Sequence, residues 1–291
     1  MSMTKINWYP GHMKKTKDLI KENMQLIDIV LEVVDARIPL SSKNPDISVF
    51  AKNKKRVIVL NKSDLVEKSE ILYWKKYFKE NNLADEVLEI SAETGFNIKA
   101  LYSIIDKVSA EKKEKMKAKG LRKVNTRLMV VGIPNVGKSR LINRIVGKSS
   151  AGVGNKPGFT RGKQWVRIKE GLELLDTPGI LWPKFEDQQV GLRLALIGSI
   201  RDEILNQDEM AIELIEYLKN HYQGILADRY QVDENEDKVK ILEQIALNRN
   251  CKMKGNELDY EKASKIVLEE FRNGKLGKIS LETPEEGTKE A

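Results

Sequence analysis

The sequence predicts a mostly parallel α/β sheet with helices on both faces, followed by a small all-α domain. Three observations predict it. Apolar runs of strand length alternate with helical spacing between Ile27 and Val146, the pattern of a parallel sheet covered on both faces. A loop of the form Gly, four residues, Gly-Lys-Ser lies between a strand and a helix at Gly132 to Ser139. After about Asp187 the strand patterns stop and only helical spacing follows.

Taken in order, His12 to Gln25 reads as a basic helix and Ile27 to Val34 as a buried strand. Arg56 to Leu60 is a second short strand that runs directly into Asn61. Ser69 to Asn81 is helical, Val87 to Ile90 is a strand, and Ile98 to Val108 is a helix. The lysine-rich stretch Glu111 to Arg127 extends that helix and then becomes an exposed connection. Leu128 to Val131 is the strand feeding the glycine loop, and Lys138 to Val146 is the helix leaving it. Gly152 to Gly162 is a glycine-rich, mobile loop, and Trp165 to Ile168 with Leu172 to Leu175 form a strand pair turning at Glu170-Gly171. Glu203 to His221, Asp237 to Asn248 and Tyr260 to Asn273 are helices, the first with an Ala211, Leu214, Ile215 and Leu218 stripe. The expected domains are 1–187 with its basic connection at about 111–127, a helical domain at 188–281, and a disordered charged tail at 282–291.

A chain of 291 residues has ample length to bury a core, and a hydrophobic content of 41% suits a soluble globular protein. No run approaches the roughly 18 apolar residues of a membrane span. Met1 to Lys17 has no apolar core of a signal peptide. The single cysteine, Cys251, excludes an internal disulfide framework and a cysteine-based zinc cluster. The expectation is a cytoplasmic, monomeric protein without a membrane partner. The net charge of +8 favours a polyanionic partner, and nucleic acid is the expected one.

Four motifs at four strand ends carry the chemistry. In the glycine loop, Asn135, Val136 and Gly137 bring backbone N–H groups toward a helix N-terminus, where phosphates bind; Lys138 reaches the terminal phosphates and Ser139 ligates Mg²⁺. Asp176-Thr177-Pro178-Gly179 ends an apolar strand: Asp176 holds Mg²⁺ through water and the Gly179 N–H senses a γ-phosphate. In Asn61-Lys62-Ser63-Asp64, Asp64 can accept the ring N–H and exocyclic amine of guanine, a donor pair adenine lacks. Lys62 can lay its stem over the base and Asn61 can tie neighbouring loops together. Ser91-Ala92-Glu93 ends the next strand, where the Ala92 N–H can donate to the guanine carbonyl oxygen. The expected ligand is GTP or GDP with Mg²⁺.

The guanine motif precedes the phosphate loop, the reverse of the ordinary order. Together with Trp8-Tyr9-Pro10-Gly11-His12-Met13, Asp35-Ala36-Arg37-Ile38-Pro39 and Pro157-Gly158-Phe159-Thr160, this order resembles the circularly permuted GTPases of ribosome assembly. The resemblance covers both halves of a circularly permuted P-loop GTPase domain and the helical region after it. It implies a GTP phosphohydrolase that binds immature large (50S) ribosomal subunits, contacts rRNA and ribosomal proteins, and promotes a late assembly step. It makes Thr160 the switch threonine that reaches Mg²⁺ with GTP bound.

Ile180 stands where many GTPases carry a water-orienting glutamine, so hydrolysis is either intrinsically slow or completed by another group. The resemblance offers His12 as that group and Asn135 as a holder of K⁺ beside the phosphates; a packed N-terminal histidine and a loop-stabilising asparagine are the alternatives. Lys14, Lys15, Lys17 and Lys21, the cluster Lys112, Lys113, Lys115, Lys117, Lys119, Arg122 and Lys123, and Arg229, Arg249, Lys252 and Lys254 are the candidate RNA contacts. Because Gly179 adjoins the helical domain in sequence, a shift there is expected to reposition that domain. The alternative reading is an RNA-binding GTP switch that needs a separate activating protein.

Overall fold

The computed structural model describes residues 18, 20–121, 124–147, 165–175, 187–200, 202 and 205–282. The described residues fall into two compact units, one of residues 18–175 with 280–282 and one of residues 187–279.

The first unit is built on a six-stranded sheet of order β3-β2-β1-β4-β6-β5. β1 (Ile29–Asp35) lies at its centre, and all seven of its residues are buried. A near-continuous Val, Ile and Leu run suits a strand covered on both faces, where alternation would waste one of them. β2 (Lys55–Asn61) and β3 (Glu86–Glu89) are laid parallel on one side of β1. The chain then returns to place β4 (Thr126–Val131) parallel on the other side, followed by β6 (Leu172–Leu175). Only β5 (Trp165–Lys169) runs antiparallel, paired to β6 through the turn at Gly171.

This order makes the gap between β1 and β4 a topological switch point, where loops leave in opposite directions and open a crevice. The register aligns Asp35 with Asn61 and Glu32 with Val131. The segments following Asp35, Asn61, Glu89 and Val131 therefore emerge along one edge of the sheet.

Helices follow from the predicted periodicity. α2 (Lys68–Glu80) buries Ile71, Trp74, Tyr77 and Phe78 against Val34, Ile58, Leu60 and Val87. A second cluster joins Ile20, Met24, Ile27 and Ile47 to Val30, Met129, Val131 and Leu175. α3 (Ile98–Ala118) and α4 (Lys138–Val146) bury Leu101 and Ile105, and Leu141 and Ile145. The lysine-rich stretch thus continues α3 as far as Ala118 before the chain leaves it. Of the expected N-terminal helix, residues 18 and 20–24 are described and helical.

The second unit packs α6 (Gln207–His221) against α8 (Lys238–Asn248) and α9 (Tyr260–Arg272). Its core includes Ala211, Leu214, Ile215, Leu218, Ile241, Ile245, Val267 and Phe271. Arg272 ties α9 to the C-terminal end of α5 (Gln188–Leu196), donating to the carbonyls of Ala195 and Leu196 at 2.9 Å each while pairing with Asp202. The helix-end carbonyls need such donors because no further turn supplies them.

Three helices escape the periodicity reading: α1 (Pro45–Phe50), α5, and α7 (Ile225–Tyr230). α1 and α7 are too short to repeat a stripe. α1 is set by its entry instead: Asn44 accepts from the Asp46 N–H at 3.0 Å, with proline in the first turn.

Glu282 departs from the expected disordered tail. It is 1% exposed, and its carboxylate accepts from the backbone N–H groups of Leu40 at 2.7 Å and Ser41 at 2.8 Å. Charge composition marks it as tail, but two otherwise unsatisfied N–H donors supply its partners. The tail residues after Glu282 lie outside the described residues.

Candidate functional site

The phosphate-loop candidate leaves β4 at Gly132 and enters α4 at Lys138. Two glycines are required by geometry. Gly132 has φ +151°, and a Cβ there would collide with the Val33 carbonyl oxygen; Gly137 has φ +94°, and a Cβ would collide with the Asn61 amide. Asn135 is also left-handed, at φ +61°, and exposed. No side chain caps the N-terminus of α4, so its first N–H groups are presented to the loop. Lys138 is buried and folds back, donating from Nζ to the Ile133 carbonyl at 2.6 Å, while Ser139 is exposed. The arrangement is an anion cradle with a cation at its base.

Asn61 is 1% exposed and joins three loops. Its Nδ2 donates to the Val136 carbonyl at 2.6 Å, and its Oδ1 accepts from the Ala92 N–H at 2.9 Å. The Ala92 N–H, expected to donate to a guanine oxygen, donates to Asn61 in this structure. A buried N–H needs an acceptor, and Asn61 provides it. Asp64 lies exposed on a single 3-10 turn, Ser63–Leu65, that follows the left-handed Lys62 at φ +59°.

The loop from Ser91 to Glu93 is held from three directions. The Ser91 hydroxyl accepts from the Thr94 N–H at 3.1 Å, and the Ser91 carbonyl accepts from the Gly95 N–H at 2.8 Å. Arg144, on α4, donates to the Ala92 carbonyl at 3.1 Å and the Glu93 carbonyl at 2.5 Å. Arg144 escaped sequence reasoning because an arginine within a helix carries no signal of what its guanidinium reaches.

A second missed feature underlies Lys62. Its Nζ pairs with Asp35 Oδ2 at 2.8 Å, and Asp35 is fully buried. The Arg37 guanidinium, 1% exposed, grips the same carboxylate through Nε at 3.0 Å and Nη2 at 2.9 Å. Burial alone would raise the Asp35 carboxyl, but the Arg37 and Lys62 charges outweigh it and hold it well below the usual carboxylate range. Asp35-Ala36-Arg37, a motif with no assigned chemistry in the sequence, is the ionic seat of Lys62.

His12, Thr160, Asp176 and Gly179 lie outside the described residues, as do Ile180, Lys14, Lys15, Lys17, Arg122 and Lys123. Among the described residues no group of three or more His, Cys, Asp or Glu is gathered as a metal cluster. An exposed serine at the start of α4, beside a loop built for phosphates, fits Mg²⁺ held largely by phosphate and hydroxyl oxygens.

The basic clusters are more internally engaged than their charge suggests. Lys112 pairs with Asp28, Lys113 with Asp106 and Lys115 with Glu111. Arg229 makes a two-pronged contact with Glu270 at 2.8 and 2.6 Å, and Arg249 lies over the Tyr230 ring. Both arginines are thus engaged within the fold, with the Arg229 side chain 36% exposed and that of Arg249 31%. Lys21, Lys117, Lys119, Lys252 and Lys254 remain exposed. No helix among the described residues is long and apolar enough to cross a membrane.

Comparisons with known proteins find matches along most of the chain. A family model described as 50S ribosome-binding GTPase matches residues 127–248, beginning inside β4 and leaving the Asn61 motif outside the match. The chain is 46% identical over 282 residues to ribosome biogenesis GTPase A of Bacillus cereus, covering 97% of this chain and 95% of that protein. It is 30% identical over 283 residues to ribosome biogenesis GTPase A of Thermotoga maritima, covering 97% and 96%. The crystal structure of GNP-bound YlqF from T. maritima matches with a TM-score of 0.67 at 26% identity, covering 93% of this chain and 99% of that one. The GDP-bound form matches with a TM-score of 0.66.

Proposed function

Because this chain belongs to the ribosome biogenesis GTPase A family, we propose that it binds immature large ribosomal subunits and promotes a late assembly step. GTP hydrolysis is stimulated by the particle, and the protein then leaves. The observation that carries the site is Asn61, which ties the phosphate loop and the Ser91 loop to the guanine motif by hydrogen bonds of 2.6 and 2.9 Å. Those three loops can close on one nucleotide.

In this reading Asp64 selects guanine, Lys62 covers the base, and the N–H groups of Asn135 to Lys138 with the Lys138 ammonium hold the phosphates. On GTP binding Lys138 exchanges the Ile133 carbonyl for phosphate oxygens. Ser139, Thr160 and Asp176 would hold Mg²⁺, which when bound neutralises charge developing on the β- and γ-phosphates. Gly179 senses the γ-phosphate. His12 orients the attacking water in place of the glutamine that Ile180 replaces, and Asn135 helps hold K⁺. Turnover on purified large subunits is expected to be faster in KCl than in NaCl at equal ionic strength, and to fall for His12→Ala while GTP binding persists. Equal rates in the two salts would remove K⁺; unchanged turnover in the variant would remove His12.

Docking on rRNA rests on the net charge of +8 and on exposed lysines such as Lys117, Lys119, Lys252 and Lys254. These act as point charges toward phosphates without reading sequence. Co-sedimentation with large-subunit precursors is expected to weaken at least about tenfold between 50 and 200 mM salt, as for a few released counterions. A flat salt response would sink the electrostatic part. Stimulation by purified subunits with no other protein separates this reading from a switch that needs an activating protein. The cell compartment that fits is the cytoplasm.

A further inference from the structure

The last described residues of the chain are bound to the loop that seats Lys62. The Leu281 N–H donates to the Arg37 carbonyl at 2.8 Å, and the Ser280 hydroxyl reaches the same carbonyl at 3.2 Å. Glu282 accepts from the Leu40 and Ser41 N–H groups. Between them they bind the backbone of the loop at Arg37, Leu40 and Ser41, and Ser280 and Glu282 are each about 98% buried or more. Arg37 in turn holds Asp35 by three hydrogen bonds, one from its backbone N–H and two from the guanidinium, and Asp35 holds Lys62. The loop closes on itself as well: the Ile38 N–H donates to the Asp35 carbonyl at 3.0 Å, and the Asp35 N–H donates to the Ser42 hydroxyl at 3.0 Å.

We propose that Ser280 to Glu282 form a C-terminal clasp that positions Lys62 for guanine, acting through the Arg37 loop and Asp35. The proposal rests on the reading of Asn61 to Asp64 as the guanine site. None of the three clasp residues touches the nucleotide; they are positioning residues. The physical reason is that Lys62 has a flexible four-carbon stem, and its ammonium is fixed only as well as the carboxylate it meets. Asp35 is fixed by Arg37, whose backbone lies in a loop rather than in the sheet. Without the clasp, the carbonyl of Arg37 and the N–H groups of Leu40 and Ser41 lose their partners, and the loop gains alternatives. The consequence is a guanine site whose order depends on a segment far away in sequence. α9 ends at Arg272 and the clasp begins at Ser280, so the chain comes to the clasp directly from the helical unit. Whatever draws the chain away at this point loosens the hold on the base.

The test uses the full-length protein and fluorescent GDP, with dissociation rates measured by chase and affinities by titration. Glu282→Ala is expected to speed GDP release about five- to tenfold, the range of about one ordinary net hydrogen bond carried through to the site. Glu282→Gln keeps an accepting oxygen and is expected to lie between the two. GDP-over-ADP preference falls in parallel. In a Lys62→Ala background, adding Glu282→Ala is expected to change nothing further, because the route ends at Lys62. Wild-type GDP release in Glu282→Ala, or an undiminished effect in the Lys62→Ala background, overturns the clasp. Asp64→Ala separates the two layers. If it abolishes guanine preference while Glu282→Ala is silent, the clasp alone fails. If it leaves guanine preference intact, the site reading fails and takes the clasp with it.

Discussion

Lys138→Ala is expected to weaken GTP and GDP binding by at least about a hundredfold while leaving the protein folded. The ammonium is the cation at the base of the phosphate loop, and charge-assisted hydrogen bonds to two phosphates together contribute roughly 3 kcal/mol or more. Its stability effect should be small by comparison. In this structure Lys138 folds back on its own loop, donating to the Ile133 carbonyl five residues away at 2.6 Å. Isothermal titration or fluorescent-nucleotide binding, paired with thermal melting, reads the two effects separately. Near-normal affinity in a folded Lys138→Ala protein would remove the phosphate assignment.

Arg37→Leu is expected to destabilise the protein by about 3–5 kcal/mol at neutral pH, the range for stripping one partner from a buried ion pair. Leucine fills much of the same space, so the loss is chiefly electrostatic: Asp35 is left fully buried with Lys62 and the backbone N–H of residue 37. The pH dependence gives the expectation a sign. In the wild type the folded-state carboxyl is held below its unfolded value, so its contribution is fully present above the ordinary carboxylate range near 3.9 and is lost as pH falls from there toward the folded-state value. In the variant, burial dominates and pushes that carboxyl up, so protonation relieves the strain as pH falls. The gap between the two proteins should therefore narrow below about pH 5. Glu32, whose carboxyl is raised by burial in the same strand, titrates in both proteins and cancels in the difference. Urea melts from pH 7 to pH 4 would measure it; a gap that stays constant or widens on acidification would show that Asp35 is not the source.

Much of the fold was legible because each signal was local. The buried run of β1, the aromatic stripe of α2 and the strand-loop-helix context of Gly132 to Ser139 can each be read within about a dozen residues. The helical unit was legible for the same reason, through stripes such as Ala211, Leu214, Ile215 and Leu218. The short helices α1 and α7 were not, since six residues cannot repeat a 3.6-residue period. Nor could charge composition show that Glu282 is buried.

The candidate site divides along the same line. Motif residues such as Asn61, Asp64 and Lys138 announce themselves by type and spacing, because a phosphate or a guanine edge imposes fixed chemistry on whatever binds it. Their supports do not. Arg144 reaching Ala92, Arg37 beneath Asp35 and Glu282 upon Ser41 are contacts between residues 52, 2 and 241 positions apart, and only the shortest lies within a motif. The basic surface divides in the same way: composition marks Arg229 and Arg249 as cations, and only the fold shows that both face Glu270.

By itself, then, the sequence determined the sheet, the reversed order of its nucleotide motifs and the kind of ligand they suit, because local periodicity and side-chain chemistry are written residue by residue. Only the tertiary structure decided which charges are spent on one another and which remain exposed, and it alone brought the C-terminal segment to the loop beneath Lys62. The physical reason is that a buried charge or N–H takes its partner from wherever the fold supplies one. That choice depends on distance in space and leaves no mark in the spacing along the chain.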